Sequence, residues 1–225
     1  KIFRSTTTGN WSSNSTWQES IDGTNYIAAT STPTSINNVI IQNGHTVTLA
    51  SNSSAANLTL NAGGTLATSS TYTLSVSGKT NATGTLTLAG TGAKTFTGDI
   101  TLNSGAVWDE TGISTYAIAG SLTNDATTFT ANTGVHTFSG TAETISGSTT
   151  TSIPSVAVTG TYTNSGTLTV ATALSGAGTL TNSSTGTLNI VGTSSITTLT
   201  NAGTIGVTGS GAISTVLANF TNTGT

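Results

Sequence analysis

From residue 37 onward, apolar and hydroxyl side chains alternate in short runs. Examples are Asn38-Val39-Ile40-Ile41, Leu58-Thr59-Leu60, Thr85-Leu86-Thr87-Leu88 and Thr167-Leu168-Thr169-Val170. A period of two sends Leu, Ile, Val or Phe to one side of a strand and Thr or Ser to the other. Thr is β-branched and suits an exposed strand position. Turns rich in Asn and Gly separate the runs, and no stretch carries a helical period. The chain reads as all-β.

The turns themselves recur. Thr163-Asn164-Ser165-Gly166-Thr167 returns as Thr181-Asn182-Ser183-Ser184-Thr185-Gly186-Thr187, then as Thr200-Asn201-Ala202-Gly203-Thr204, and again as Thr221-Asn222-Thr223-Gly224-Thr225. Extended backwards, the series takes in Asn43, Asn61, Asn81, Asn103, Asn124, Asn164, Asn182, Asn201 and Asn222, separated by 18, 20, 22, 21, 40, 18, 19 and 21 residues. The interval of 40 is two periods with one Asn missing. A period near 20 is too short for a helical pair and fits one coil of a solenoid, whose apolar face is buried only by its neighbours. The expected fold is a single-stranded right-handed parallel β-helix (β-solenoid) of about ten coils of 18–22 residues with an N-terminal cap. Its asparagines would stack as a ladder along the axis, and the Gly after each Asn would supply a positive φ at the corner. At ~4.8 Å per coil, ten coils make a rod of roughly 48 Å.

Residues 1–36 lie outside the repeat and are expected to cap it, leaving 37–225 as the coils. A solenoid end exposes apolar cross-section and unpaired strand edges. Trp11 and Trp17 would cover them, with Tyr26 beside them and Phe220 in the last coil as a further assembly contact. The segment at about 138–154, with a polar run and Pro154, reads as an irregular coil or loop leaving the rod. Thr225 falls in the middle of a coil. That ending is expected to mark either a piece of a longer repeat protein or an open end stacking head-to-tail on residues 1–40 of the next subunit.

Composition narrows the chemistry. Only 5% of residues are charged, the net charge is −3, and Cys and Met are absent, while Thr, Ser, Asn and Gly exceed half the chain. Phosphate neutralisation requires a basic footprint that is missing, so nucleic acid is not an expected partner. No apolar run is long enough to span a membrane. Disulfides and thiolate metal sites are excluded.

Gly9-Asn10-Trp11-Ser12-Ser13, Ser15-Thr16-Trp17-Gln18-Glu19-Ser20 and Asp22-Gly23-Thr24-Asn25-Tyr26 resemble the module that opens many secreted surface proteins of Bacteroidota-type bacteria. Asn38-Val39-Ile40-Ile41 with Gly44-His45-Thr46-Val47-Thr48 is similar to the family's first coils, and the Thr-rich repeats are similar to its β-helical, adhesin-like stalks. The resemblance implies export to the cell surface and carries no catalytic residues to transfer.

Parallel β-helices also house carbohydrate-cleaving enzymes, which need paired carboxylates on one face. The acids are Glu19, Asp22, Asp99, Asp109, Glu110, Asp125 and Glu143. Asp109 and Glu110 are adjacent and would point to opposite faces of a strand. Trp108, Asp109 and Glu110 nevertheless form the candidate glycan contact, with Trp108 as a stacking platform. His45 and His136 read as exposed turn residues, and Lys79, Lys94, Lys1 and Arg4 as isolated solvated charges. No cofactor, metal or catalytic set is expected. Thr-x-Thr pairs occur at 46/48, 71/73, 85/87, 95/97, 161/163, 167/169 and 179/181. They fall before and after the corner Asn and are not expected to stack on one face, which argues against ice binding. The leading expectation is a non-enzymatic extracellular structural protein, a subunit of a cell-surface filament or adhesin stalk. It would form a homo-polymer, with surface glycans or other cells as further partners. A carbohydrate-binding or carbohydrate-cleaving β-helix is the alternative, and an ice-binding protein a further one.

Overall fold

A computed structural model describes residues 1–208 and 219–224, without the side chains of Asn219 and Phe220. The Phe220 side chain and Thr225 lie outside the described residues. Apart from one turn of 3-10 helix at Asn14–Thr16, every regular element described is a strand, and all but two strands near the N-terminus stack in parallel as a β-solenoid of about nine turns.

Each early coil has three strands. A first face takes Asn38–Ile41, Asn57–Leu60, Thr80–Ala82, Ile100–Leu102 and Leu122–Asn124 as successive parallel rungs. A second face takes Ser53–Ala55, Leu74–Val76, Lys94–Phe96, Tyr116–Ile118 and Val135–Phe138. A third face runs through Gly9–Asn10, Thr46–Thr48, Thr65–Thr68, Thr85–Leu88, Val107–Asp109 and Thr128–Thr130. Alternation decides the packing. In Thr85–Leu88 the two leucines are fully buried and the two threonines half-exposed. The inward column of the first face, Ile41–Leu60–Ala82–Leu102, is sealed from solvent throughout.

Beyond Thr130 the cross-section changes. The corner between the third and second faces flattens, and single strands of eight and nine residues, Thr151–Val158 and Thr167–Ser175, cover both. Pro154 sits at the register shift between Ile153 and Ser155, where its missing N–H costs no ladder bond. The segment 138–154 therefore does not leave the rod. It stays within the ladder as Thr141–Ser146 and the first half of Thr151–Val158, and the extra residue is absorbed by a bulge at Ala142, with φ of 61°. Its polar run lies over the previous coil: the Ser148 amide and hydroxyl both donate to Asp125, and the Thr149 hydroxyl to the Ala126 carbonyl.

The N-terminal segment begins inside the ladder. Ile2–Ser5 pairs in parallel with Asn38–Ile41, and Gly9–Asn10 opens the third face. Trp17–Ser20 then turns back antiparallel on Ile2–Ser5, and Ile27–Ala28 pairs antiparallel with it as the edge of the longest sheet. The first turn and its cover are thus one piece of chain, and two of the sheets run on across residue 36.

Candidate functional site

Two polar systems are built into the apolar interior, and neither is a surface site. The first is an amide ladder. Asn164 Nδ2 donates to Asn182 Oδ1 at 2.7 Å, Asn182 Nδ2 to Asn201 Oδ1 at 2.7 Å, and Asn201 Nδ2 to Asn222 Oδ1 at 2.8 Å. Asn164, Asn182 and Asn201 are fully buried. Each also donates to a carbonyl of its own turn (Gly166, Gly186 or Gly203), and Asn164 and Asn182 reach the Thr187 and Thr204 carbonyls. Register makes this possible, since the four sit opposite one another in consecutive rungs. The ladder stops at Asn164 because the preceding rung offers Ile145, and Asn164 Oδ1 is left with no donor.

The earlier five asparagines do not join it. In the first-face column Ile41–Leu60–Ala82–Leu102–Asn124, Asn61 and Asn103 lie one residue after their rung's member, Asn43 two after, and Asn81 one before. Equal spacing in sequence became unequal phase because coil length varies, with stacked residues 17 to 23 apart from one coil to the next. Asn103 donates to Asn81 at 2.6 Å, but on the exposed surface. Asn124 is buried and turns to Thr151 Oγ1 at 3.1 Å. An additional pair, Asn57 donating to Asn38 at 2.7 Å, falls outside the series. The corner glycines of the ladder also act differently from expectation. A Cβ on Gly186 would lie 2.4 Å from both the Asn164 carbonyl and Asn182 Oδ1, so the coil beneath, not a positive φ, requires glycine there.

The second system surrounds Glu110. Asp109 opposes Thr87, so Glu110 follows into the inward position that Leu88 fills one rung earlier. Its carboxylate accepts Trp108 Nε1 at 2.6 Å, the Asn132 amide at 2.8 Å, and His136 Nε2 at 3.0 and 3.1 Å. His136 Nδ1 faces the Gly134 carbonyl at 3.1 Å, so only the doubly protonated ring donates to both neighbours. Tyr116 stacks on His136 with ring centroids 4.6 Å apart and planes within 1°. Lys94 lies one rung before Tyr116, fully buried, its Nζ donating to the Gly92 carbonyl. Burial holds the Lys94 amine below its ordinary pKa, against the pull of Glu110. Burial, reinforced by Glu110, raises the Tyr116 phenol well above its usual range.

This geometry overturns three expectations. Trp108 is 1% exposed, packed against Phe96, Tyr116 and Phe129, and Glu110 is buried, so neither offers a sugar platform. Asp109 alone of that trio faces outward. His136 is an inward strand residue, with Val135 exposed in its place, because its rung stacks between Tyr116 and Val156. Lys94 likewise takes the inward phase beside Phe96, and no solvated charge remains there. His45 is half-buried at its turn, its Nδ1 2.9 Å from Ser5 Oγ.

At the N-terminal end, Trp11 and Trp17 are sealed and meet edge-on at 5.4 Å. Trp17 Nε1 donates to the Trp11 carbonyl at 2.8 Å, Trp11 Nε1 to the Pro33 carbonyl at 3.3 Å, and Phe3 packs on Trp17. Tyr26 lies under the Arg4 guanidinium, 3.8 Å from its ring centre. Outside this cover, Ile21 and Ile27 are 89% and 64% exposed and line an open cleft with Lys1, Glu19 and Asp22. Lys1 Nζ is 2.9 Å from Glu19 and holds that carboxyl below its usual pKa. The Asn25 and Thr24 amides hold Asp22 far below its own.

The threonine pairs also differ from expectation. Thr161/Thr163 and Thr179/Thr181, joined by Thr198/Thr200, stack in constant phase on the first face. The others divide between faces: 46/48 and 85/87 lie on the third, and 167/169 on the long strand Thr167–Ser175.

Among the described residues, no three His, Asp or Glu side chains converge as metal ligands would, and no helix is long and apolar enough to cross a membrane. No family model, curated protein or solved structure matches the chain.

Proposed function

We propose that this chain is the shaft of an extracellular fibre, a β-solenoid segment of a cell-surface filament or adhesin stalk on a bacterium, whose work is mechanical rather than catalytic. The observation that carries this reading is the use of the interior. Its buried polar groups are spent on joining coils to one another, through the amide chain from Asn164 to Asn222 and the Glu110–His136 pair, 26 residues apart in sequence. Such bonds run along the rod and resist its extension or slippage. The hydroxyl-covered surface and sparse charge suit a protein outside the cell. Subunits join head-to-tail through the N-terminal end, where the edge strand Ile27–Ala28 and the exposed Ile21 and Ile27 provide unpaired backbone beside apolar surface.

Electron microscopy of the purified protein and of the source cell surface tests the reading. Filaments with an axial repeat near one subunit, about 43 Å for nine coils, are expected. The double variant Ile21→Lys, Ile27→Lys alters only exposed side chains and should abolish them. Isolated short rods at every concentration, or filaments indifferent to the two lysines, would overturn the assembly.

A further inference from the structure

We propose that the outer surface of the first face between Thr161 and Thr200 binds ice. Three consecutive rungs, Thr161–Asn164, Thr179–Asn182 and Thr198–Asn201, each point two threonines outward in strict register, Thr161–Thr179–Thr198 in one column and Thr163–Thr181–Thr200 in the other. Thr221 continues the second column in the next rung. In a parallel sheet, hydroxyls repeat at ~4.8 Å from coil to coil and at ~6.7 Å between positions i and i+2 along a strand. Oxygen rows in hexagonal ice repeat at distances close to both, along its a and c axes. The two-dimensional array is therefore a template on which water can be held in lattice positions, with the threonine methyls filling the spaces between rows.

Register alone would not suffice, and two further observations support the site. Among the described residues, none of the six hydroxyls is engaged in a hydrogen bond within the chain, so all are available to water. Other outward hydroxyls do not form such an array: Thr169 accepts from Asn189, Thr123 pairs with Ser146, and on the third face Ala67 interrupts the column between Thr48 and Thr87. The array is also held still from beneath. Tyr162, Leu180 and Leu199 lie under it fully buried, and the amide ladder fixes each rung one residue beyond its second threonine. A lattice is recognised only by a surface that does not fluctuate, and hydroxyl positions set in advance lower the entropy lost on binding. In the adjoining rung Thr141 and Thr144 sit opposite Thr161 and Thr163, but the bulge at Ala142 sets them three residues apart instead of two. Further along, the face carries Asp99, Asn81 and Lys79, which confines the regular array to these coils. The inference is independent of the fibre reading, since a single unassembled rod presents the whole array.

The test is partition into slowly grown ice, with serum albumin as the protein that stays in the liquid. The wild-type chain should enter the ice, and Thr181→Tyr, in the middle of the array, should lower its ice-borne fraction about tenfold or more, as loss of a central interface contact does. Thr181→Lys gives a second variant if the tyrosine perturbs folding, with circular dichroism as the check. Ala117→Tyr, an exposed outward position on the second face between Thr95 and Thr137, should partition as wild type. Exclusion of the wild-type protein to the level of albumin would overturn the proposal. So would equal partition of wild type and Thr181→Tyr. Capture by crystalline cellulose or chitin through Thr181, without entry into ice, would make the array a polysaccharide surface instead and would also overturn it.

Discussion

Replacing Asn182 by Ala tests whether the amide ladder holds the C-terminal coils together. The side chain donates to Asn201 Oδ1, to the Gly186 carbonyl and to the Thr204 carbonyl, and accepts from Asn164 Nδ2. With two N–H bonds shared among three acceptors, truncation removes about three full hydrogen bonds, each contributing roughly 1 kcal/mol. Asn164 keeps the Gly166 and Thr187 carbonyls, and Asn201 Oδ1 keeps the Gly203 amide, so those partners are not stranded. The Thr204 carbonyl keeps its ladder bond to the strand Thr187–Ile190 and is not stranded either. The total is about 3 kcal/mol. In a repeat array this loss falls on the coils that share the interface, not evenly on the whole chain. Amide hydrogen exchange read by mass spectrometry should therefore accelerate in residues 161–207 by up to about a hundredfold, while residues 38–109 are unchanged. Asn103→Ala is the control, because its bonds to Asn81, the Ala82 carbonyl and Thr83 lie where water can replace them, and it should cost about 1 kcal/mol. Equal, small effects from the two substitutions would show that the ladder is an ornament of the register and does not hold it.

Four further outcomes follow from the same geometry. Ile145→Asn places an amide beneath the undonated Asn164 Oδ1 and should cost less than about 1 kcal/mol in urea unfolding, whereas Leu168→Asn, in the same interior without such a partner, should cost about 3 kcal/mol. All three tryptophans are at most 2% exposed, so iodide should fail to quench their fluorescence until the chain unfolds, and a quenchable Trp108 in the folded protein would restore it as a surface residue. Burial of Lys94 favours its neutral form, so the unfolded chain binds the extra proton and stability should rise with pH up to the ordinary lysine value of 10.5, a slope that Lys94→Met should remove. The Tyr162 hydroxyl, pushed up to about 12 by burial, works in the opposite sense, and stability should fall between pH 10 and about 12 as the unfolded chain loses that proton first.

The period of the chain was legible because coil stacking demands it, and strict alternation identified the buried leucines. The phase of each coil was not. Asparagines 18 to 22 residues apart looked equivalent, but turns of different length shift the residue that comes to rest above its neighbour. Only where four successive turns begin with the same Thr-Asn pair, at 163, 181, 200 and 221, did spacing and phase agree. Charged residues misled for a related reason. In Val135-His136-Thr137-Phe138, Val and Phe are three apart and cannot both face inward, so the rung beneath decides, and Tyr116 selects His136. Lys94-Thr95-Phe96 has the inward phase of Phe96, and Lys94 follows it. The one local sign was the rarity of charge: in a chain with 5% charged residues, Lys94 and Glu110 lie close to one coil apart.

These two polar systems occupy different lengths of the rod, and their division has a physical logic. Stacked leucines resist separation but fix axial register weakly, since a strand displaced by two residues still offers an apolar side chain to the interior. A buried amide or carboxylate does not tolerate that displacement. Slipped by two, Asn182 would lose its partners and remain sealed from water, at a cost of several kcal/mol. The Glu110 carboxylate and His136 hold the coils before the bulge in the same way. Between the two systems, where Ala142 inserts an extra residue and slippage would be easiest, Tyr162 takes over. Its hydroxyl lies 3.0 Å from the Ile118 carbonyl and 3.1 Å from that of Gly120, and it accepts the Gly140 amide at 3.2 Å. Residue 162 is thereby tied to the coil two turns away, across the bulge. Tyr162→Phe fills the same volume and removes only those bonds, so it should cost about 1–3 kcal/mol and concentrate faster amide exchange at 138–146. Uniform acceleration along the chain would mean that the bulge needs no clamp and that apolar packing alone sets the register.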